Sequence, residues 1–293
     1  MDEDWPAIDI VSVNYNGLSF LEDYFTSLEQ LNYPKDKLHL FWVDNNSQDC
    51  SRDYIEKLKP SFGLTVVKNK KNYGFAKTNN MIFPRCQAEF IALLNCDTQL
   101  DKNWLVWLVR AMRKSAYAGM CCSRRIPVQS YGYTDPVTNE TSWCSGGNSL
   151  VRRSVLEKVG YFEERFFMYG EDLDLSWRMW MEGFSCIYVP ESVCEHHFGK
   201  QEQYTSRRTY YKVRNAILLR YAYGTSKEIR QALLRWIWEG LSLGLKQLHL
   251  NQAWAVFAGV IGHIRYIPYF LQKRKKIAKH PAFRKVKLRW IIL

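Results

Sequence analysis

The stretch IDIVSVNYNGLSFLEDYFTSLEQL, residues 8–31, changes its hydrophobic period part-way. Residues 8–15 are short, apolar and β-branched, whereas from Leu18 onward Leu and Phe recur at helical spacing. The same alternation repeats downstream. LHLFWVDN (38–45) reads as a strand, and SQDCSRDYIEKLK (47–59) reads as a helix opened by a Ser cap. LTVVKN (64–69) is a strand before a helix over 76–86, and EFIALLNCD (89–97) is a strand before a helix in DKNWLVWLVRAMRK (101–114). Strands alternating with helices predict an α/β fold, with a mostly parallel central sheet covered by helices.

In such a sheet ligands sit beyond the carboxyl ends of the strands. The residues just past the strands are Asn14 to Gly17, Asp44 to Asn46, Asn72 to Gly74 and Asn95 to Asp97, nearly all Asn, Asp or Gly. Asp97 ends an apolar strand two residues after Asn95, where a hard divalent cation bridging phosphates would find an oxygen ligand; taken alone, the spacing favours a turn or N-cap role. Asp44 suits a ribose hydroxyl or a base N–H, or an Asx turn into the next helix. NYGFAKTNN (72–80) supplies a Gly turn at a helix start, where backbone N–H groups favour anions.

Further along, YGEDLDLSWRMWMEGF (169–184) crowds Glu171, Asp172 and Asp174 against an apolar run. Acids in a first helical turn are stabilised by the helix's positive end. Leu173, Trp177, Trp180 and Met181 then form the expected buried stripe and Gly183 the stop, so that the acids project from the rim into a cleft as candidate general bases. In EHHFG (195–199) the adjacent His196 and His197 point to opposite faces of a strand, so at most one of them faces the site and the other packs or lies at the surface. Between these elements lie a turn-rich span, 130–147, a strand and short helix in NSLVRRSVLEKVG, and two short strands in SCIYVP and VCEHHF. From about residue 204 the chain reads as helices.

Charge separates the two regions. Residues 1–199 carry 21 Lys/Arg against 26 Asp/Glu, and residues 200–293 carry 20 against 3, so the net +12 belongs to the C-terminal third. That asymmetry points to an anionic partner, phospholipid or nucleic acid. Eight scattered cysteines without a Cys-x-x-Cys pair, behind an acidic N-terminal MDEDWPAID, fit a reducing cytosol and no secretory signal. The longest apolar run, AWAVFAGVIGHI (253–264), is too short to span a membrane. The expected domains are 1–203, the strand–helix alternation, and 204–293, helical and basic.

Together VSVNYNG, VDNNSQDCS, NYGFAKTNN, LLNCDT, GGNSLVRRSVLEKVGYFEERFFMYGEDLDLSWRM and VPESVCEHHFG resemble the family 2 inverting glycosyltransferases of the Rossmann-like A-type fold, over roughly residues 8–220. The similarity is to the rhamnosyltransferase-like branch that builds cell-surface polysaccharides. It implies a hexosyltransferase in which Asn14, Asp44, Gly74 and Asn79 form the nucleoside pocket, with Asn95 and Asp97 beside the donor diphosphate. It further implies Mg²⁺ or Mn²⁺ held by Asp97 and His196, Asp172 as general base with Glu171 beside it, and Gly146, Gly147 and Asn148 bordering sugar and acceptor. One departure stands out: the family's usual Asp-x-Asp is Asn95-Cys96-Asp97 here.

The implied partners are a nucleoside-diphosphate sugar, thymidine-diphosphate rhamnose or a uridine-diphosphate hexose, and a polyprenyl-diphosphate-linked or polysaccharide acceptor. Trp236, Trp238, Trp254 and RYIPYFLQKRKKIAKH (265–280) mix aromatic, aliphatic and basic residues as interfacial helices do. They predict peripheral attachment to the anionic cytoplasmic face of a membrane, with no nucleic acid; the alternative is a homodimerisation domain with a basic exterior. Two other functions compete, a sugar nucleotidyltransferase and a nucleotide-sugar-binding module without catalysis. The first would carry a Gly-rich, basic phosphate loop after its first strand, and NYNGLSFLED has one Gly and no basic residue.

Overall fold

A computed structural model describes residues 4–127, 132–197, 205–245 and 250–283. Two compact units divide the chain: Met1–Glu164 with Glu171–His197, and Arg165–Gly170 with Phe198–Leu293. The expected boundary at 203/204 lies outside the described residues.

The first unit is built on β1 (Ile8–Asn14), β2 (Leu38–Asp44), β3 (Gly63–Lys68), β4 (Phe90–Leu94), β5 (Thr98–Leu100), β6 (Ala118–Ile126), β7 (Asn148–Arg152) and β8 (Ser185–His196). They form one sheet in the order β3-β2-β1-β4-β7-β6-β8-β5. The first four are mutually parallel, β7 runs antiparallel to β4 and β6, β6 pairs parallel with β8, and β5 closes the edge antiparallel to β8. The sheet is therefore mostly parallel, as the alternating pattern predicts.

Alternation along β1 sends Ile8 and Ile10 to one face and Val11 to the other. On the first face they meet Leu21 and Phe25 of α1 (Leu18–Glu29) and Trp104 and Leu108 of α4 (Trp104–Arg113). The opposite face is covered by α3 (Phe75–Ile82), α5 (Arg153–Val159) and α6 (Glu171–Met181) through Ala76, Ile82, Leu156, Leu175 and Met179. Both faces buried is what a parallel sheet needs, and it explains why its strands are almost wholly apolar.

Four local expectations change. The helix placed at 47–59 spans only Ser51–Lys57, α2, because Ser47 is engaged by Asn14, Asn16 and Asp44 and the first turn is held by Asp49. The two short strands after Gly183 are one twelve-residue strand, β8, with a register shift against β6. β5 and β6 were not expected. In α6 the core contacts come from Leu175 and Met179, whereas Leu173 and Trp180 are half-buried; Trp177 and Met181 are buried as expected, and Gly183 (φ 84°) follows the last turn.

The second unit contains α7 (Ser206–Tyr223), α8 (Ser226–Leu245), α9 (Leu250–Gly262) and α10 (Ile267–Ala278). Thr205 caps α7 by accepting from the Arg208 N–H at 3.3 Å. Val213, Ile217 and Val256 form its small core, joined by Leu233, Trp236 and Leu243. Gly259 lets α9 close on Tyr210 and Val213 of α7, since a Cβ there would lie 2.8 Å from the Val213 Cβ. Among the described residues no helix is long and apolar enough to cross a membrane.

Segment 165–170, which leads into Glu171, is fastened inside this second unit. Arg214 and Asn215 of α7 are buried, and they donate to its carbonyls: Arg214 Nη2 to Arg165 and Phe166 (2.8 Å each), Asn215 Nδ2 to Phe166, Met168 and Tyr169 (2.9, 2.8 and 2.7 Å). Phe167 stacks on Tyr211 and Phe166 meets Phe270. These contacts hold Phe167 (φ 65°) and Tyr169 (φ 69°) in the left-handed region, which costs a non-glycine residue roughly 1–3 kcal/mol.

Candidate active site

Register brings the parallel strand ends level. Asn14 lies opposite Asp44, and Asp44 opposite Lys68. The ladder runs on past the strands, with the Asn45 N–H donating to Asn14 O (2.8 Å) and the Asn69 N–H to Asp44 O (2.9 Å). Asn14 and Asp44 are buried. Asn14 Nδ2 donates to Ser47 Oγ (3.1 Å), while Asp44 accepts from the Ser47 N–H (3.1 Å) and from Arg52 Nε (2.6 Å). Gly17 packs on Asn14, where a Cβ would stand 2.4 Å from Oδ1.

Asn45 is a hub that the sequence reading did not single out. Its Nδ2 donates to Asn72 Oδ1 (3.0 Å), and its Oδ1 accepts from Asn69 Nδ2 (3.1 Å), the Tyr73 N–H (3.0 Å) and Thr78 Oγ1 (3.1 Å). One buried amide thus fixes the turn 72–74 and the start of α3. Gly74 has φ 84°, a conformation open to glycine, and Asn79 is turned back on its own helix, donating to Phe75 O (2.9 Å). The signal available was position: Asn45 follows β2 directly inside VDNNS.

Past β4, Asn95 and Asp97 are partly exposed and Cys96 is buried between them. Burial, followed by the neighbouring Asp97 charge, pushes the Cys96 thiol well up, so it stays a neutral core group and not a thiolate ligand. β8 delivers His196 opposite Thr98. His196 Nε2 lies 3.4 Å from Asp97 Oδ1 and 3.5 Å from Asn95 Nδ2, whereas His197 turns away to Gln99. Of the two adjacent histidines, one faces the Asp97 cluster.

The residues from 145 to 148 join this cluster to α6. The Asn95 N–H donates to Gly147 O (2.9 Å), and the Gly146 N–H donates to Asp172 Oδ2 at 3.4 Å. A Cβ on Gly147 would meet Asn95 Nδ2 at 2.6 Å, and one on Gly146 would meet Phe75 at 3.1 Å, so both glycines permit close approach. Asn148 is buried, donating to Ser123 O (3.4 Å). Asp172, half-buried at the helix start, accepts from the Leu173 N–H at 2.9 Å through its other oxygen. Glu171 is buried beside it. Asp174 is fully buried on Arg178 (2.9 Å), whose guanidinium also serves the carbonyls of Val159, Gly160 and Tyr161; it is a structural ion pair.

The sequence profile of glycosyl transferase family 2 matches residues 9–181. The chain belongs to that family. Among curated relatives, an N-acetylglucosaminyl-diphospho-decaprenol L-rhamnosyltransferase from Mycobacterium tuberculosis is 44% identical over 63 residues, 22% of this chain and 20% of that protein. A poly-beta-1,6-N-acetyl-D-glucosamine synthase from Staphylococcus epidermidis is 22% identical over 206 residues, 64% of this chain and 49% of the synthase. The matches thus span half of these relatives' own length or less. Among solved structures, the mannosyltransferase PcManGT from Pyrobaculum calidifontis, in complex with GDP-Man and Mn²⁺, superposes with a TM-score of 0.61 at 17% identity, covering 96% of this chain and 82% of its own. It shares the A-type fold.

A divalent cation fits the Asp97 cluster. Ligands in adjacent positions around an ion with bonds of about 2.1 Å stand about 3 Å apart, close to the 3.4 Å between Asp97 Oδ1 and His196 Nε2. No group of three or more His, Cys, Asp or Glu side chains able to hold a metal occurs among the described residues. Two protein ligands suit a cation that keeps waters and takes its remaining oxygens from substrate phosphates.

Proposed function

We propose that this protein is an inverting glycosyltransferase that moves a hexose from a nucleoside-diphosphate sugar to a hydroxyl of a lipid-linked or cell-surface glycan. The observation that carries the reading is the Gly146–Gly147 turn, bonded on one side to Asn95 beside Asp97 and on the other to Asp172. It joins the Asp97–His196 cluster and a half-buried carboxylate through one turn, whose glycines let Asn95 and Phe75 pack close and which, in this reading, borders the sugar.

In this reading Asp172 takes the proton of the acceptor hydroxyl. That oxygen forms a bond to the anomeric carbon while the bond to the diphosphate oxygen breaks, and the electron pair departs with the nucleoside diphosphate. One displacement inverts the centre. The Gly146 and Leu173 N–H groups orient the carboxylate, and a carboxylate oxygen accepts more than one hydrogen bond. Glu171 is held beside the base. Asp97 and His196 would hold Mg²⁺ or Mn²⁺, which neutralises charge on the leaving diphosphate. Asn95 stands beside them. Asn14, Asp44, Gly74 and Asn79 shape the nucleoside pocket from beneath, Asp44 becoming available where the one-third-exposed Arg52 gives way, and Asn148 secures the end of the glycine turn.

The M. tuberculosis relative's name supports rhamnose as the sugar and a polyprenyl-diphosphate-linked acceptor; as donor we place thymidine-diphosphate rhamnose first and uridine-diphosphate hexoses second. The excess of basic residues after position 200 supports peripheral attachment to the anionic cytoplasmic face of a membrane. Asp172→Asn tests the base. It should lower transfer by about 10²–10⁴-fold while the shift in melting temperature produced by the donor with Mn²⁺ stays as in the wild type. Unchanged turnover would remove Asp172 from that role, and a protein that binds donor without any transfer would favour the non-catalytic module.

A further inference from the structure

The second unit leaves two helix faces apolar and uncovered. On α8, Leu234, Ile237, Trp238, Leu241 and Leu245 fall at i, i+3, i+4, i+7 and i+11, and every one is exposed, Trp238 to 71% and Leu245 to 81%. This is the period of a face built to be buried. It is not overspill from the core, because the inward side of the same helix is a different set: Leu233, Trp236 and Leu243 pack with Val213, Ile217 and Val256, and Gly240 abuts Phe257. The next helix repeats the arrangement. On α9, Leu250, Trp254 and Ile261 are exposed at i, i+4 and i+11, while Ala253, Val256 and Gly259 are buried. Both stripes avoid the sides that meet α7. Trp236, grouped with Trp238 and Trp254 by sequence alone, belongs to the core.

We propose that these two stripes form a membrane-docking face that lies flat on an anionic bilayer, with Trp238 and Trp254 seated at the boundary between head groups and acyl chains. The proposal rests on the reading of the basic helices as membrane-associating and deepens it by naming the face and its mode of insertion. Charge selects the occupant. Lys227 and Arg230, seven and four residues before Leu234, continue the α8 stripe and are exposed, as are Lys275, Lys276 and Lys279 around the end of α10. With 20 basic residues against 3 acidic ones after position 199, a second copy of this unit would meet electrostatic repulsion, whereas acidic lipid supplies the counter-charge. Apolar residues with tryptophan on one face and Lys/Arg about it, on helices that do not span, describe a helix in the plane of the interface.

The test is flotation of the full chain with vesicles of phosphatidylcholine mixed with phosphatidylglycerol, and with pure phosphatidylcholine, comparing wild type with Trp238→Glu/Leu241→Glu and, on the other helix, with Trp254→Glu. The expected result is recovery of the wild type on mixed vesicles, weak recovery on neutral ones, and a fall of about tenfold or more in vesicle partitioning for the double variant. Melting temperatures should be unchanged, because the replaced side chains are exposed; if one variant fails to fold, the other decides. A wild type that stays with neither vesicle ends the membrane reading altogether. A wild type that floats together with variants that float equally well overturns only the apolar face, leaving attachment by charge. Sedimentation completes the test: a dimer that the double variant dissolves, with flotation unaffected, assigns the face to a second copy and overturns the proposal.

Discussion

Asn215→Ala should destabilise the C-terminal unit by about 3 kcal/mol, and the figure follows from its partners. The Asn215 side chain is 1% exposed, and its Nδ2 serves three carbonyl oxygens while Oδ1 accepts from Arg214 Nε at 2.9 Å. Truncation leaves Phe166 O with Arg214, but Met168 O and Tyr169 O both lose the Asn215 donor. A buried acceptor deprived of its bond costs about 1–3 kcal/mol; two would lose about 2–6 kcal/mol, and because both of these bonds are only part-buried the loss lies toward the lower end. Relaxation of Phe167 and Tyr169 out of the left-handed region returns part of that, hence the lower half of the range. At about 2–4 °C per kcal/mol for a chain of this class, calorimetry should show the transition about 6–12 °C lower. Asn215→Asp separates hydrogen bonding from packing: it keeps the shape, removes both donors and turns an acceptor toward carbonyl oxygens. An aspartate variant as stable as the wild type would refute the account.

Three further outcomes follow from the geometry. Gly74→Ala, at φ 84° and ψ 171°, should cost about 1–3 kcal/mol, visible as a lower urea midpoint, and should weaken the donor-induced thermal shift because the turn before α3 moves. Asp97→Ala and His196→Ala should each abolish the dependence of donor binding on added Mn²⁺ measured by calorimetric titration; retained Mn²⁺ dependence in both would exclude this pair as the ligands. His263 is buried in the second unit, stacked on Tyr221 and hydrogen-bonded to Val260 O. Burial lowers its pKa from the ordinary 6.5, against a smaller raising effect of that bond. A histidine depressed in the folded state binds fewer protons folded than unfolded. Its stability contribution is therefore intact above about pH 6.5 and declines as pH falls below that value, and His263→Phe should remove this part of the slope between pH 7.5 and 5.5 in urea titrations.

The parallel half of the sheet is legible because burial on both faces makes β1, β2 and β4 largely apolar, and each is separated from the next by a helical period. β6 escapes that reading. AGMCCSRRI carries cysteines and arginines where a buried strand usually carries Val and Ile, yet Ala118 to Ser123 are all buried between β7 and β8. A strand whose partners come from residues 148–152 and 185–196 is specified by long-range pairing, and no local period records that. β5 is three residues long and has no period to show.

The site divides along the same line. Residue types at strand ends are visible in the sequence because the parallel sheet dictates where they sit, and Asp97, Asp172 and His196 come from that logic or from the family's ordered motifs. What the sequence conceals is which polar groups are already committed. Asp174 and Asp172 look alike in EDLD, but one helical turn separates Asp174 from Arg178, so Asp174 is closed off in an ion pair while Asp172 meets the glycine turn. Asp44 is engaged in the same way by Arg52. The VDNNS run hides the reverse case: Asn45 has no chemistry to offer a substrate, and yet its amide ties residues 69, 72, 73 and 78 into the shape of the pocket. A carboxylate's availability, and an amide's reach, are set by neighbours distant in the chain. For that reason the decisive comparison at this site is between Asp172→Asn and Asp174→Asn: the first should remove transfer and spare the fold, the second should loosen Arg178 from the base of α6 and lower stability before it touches chemistry.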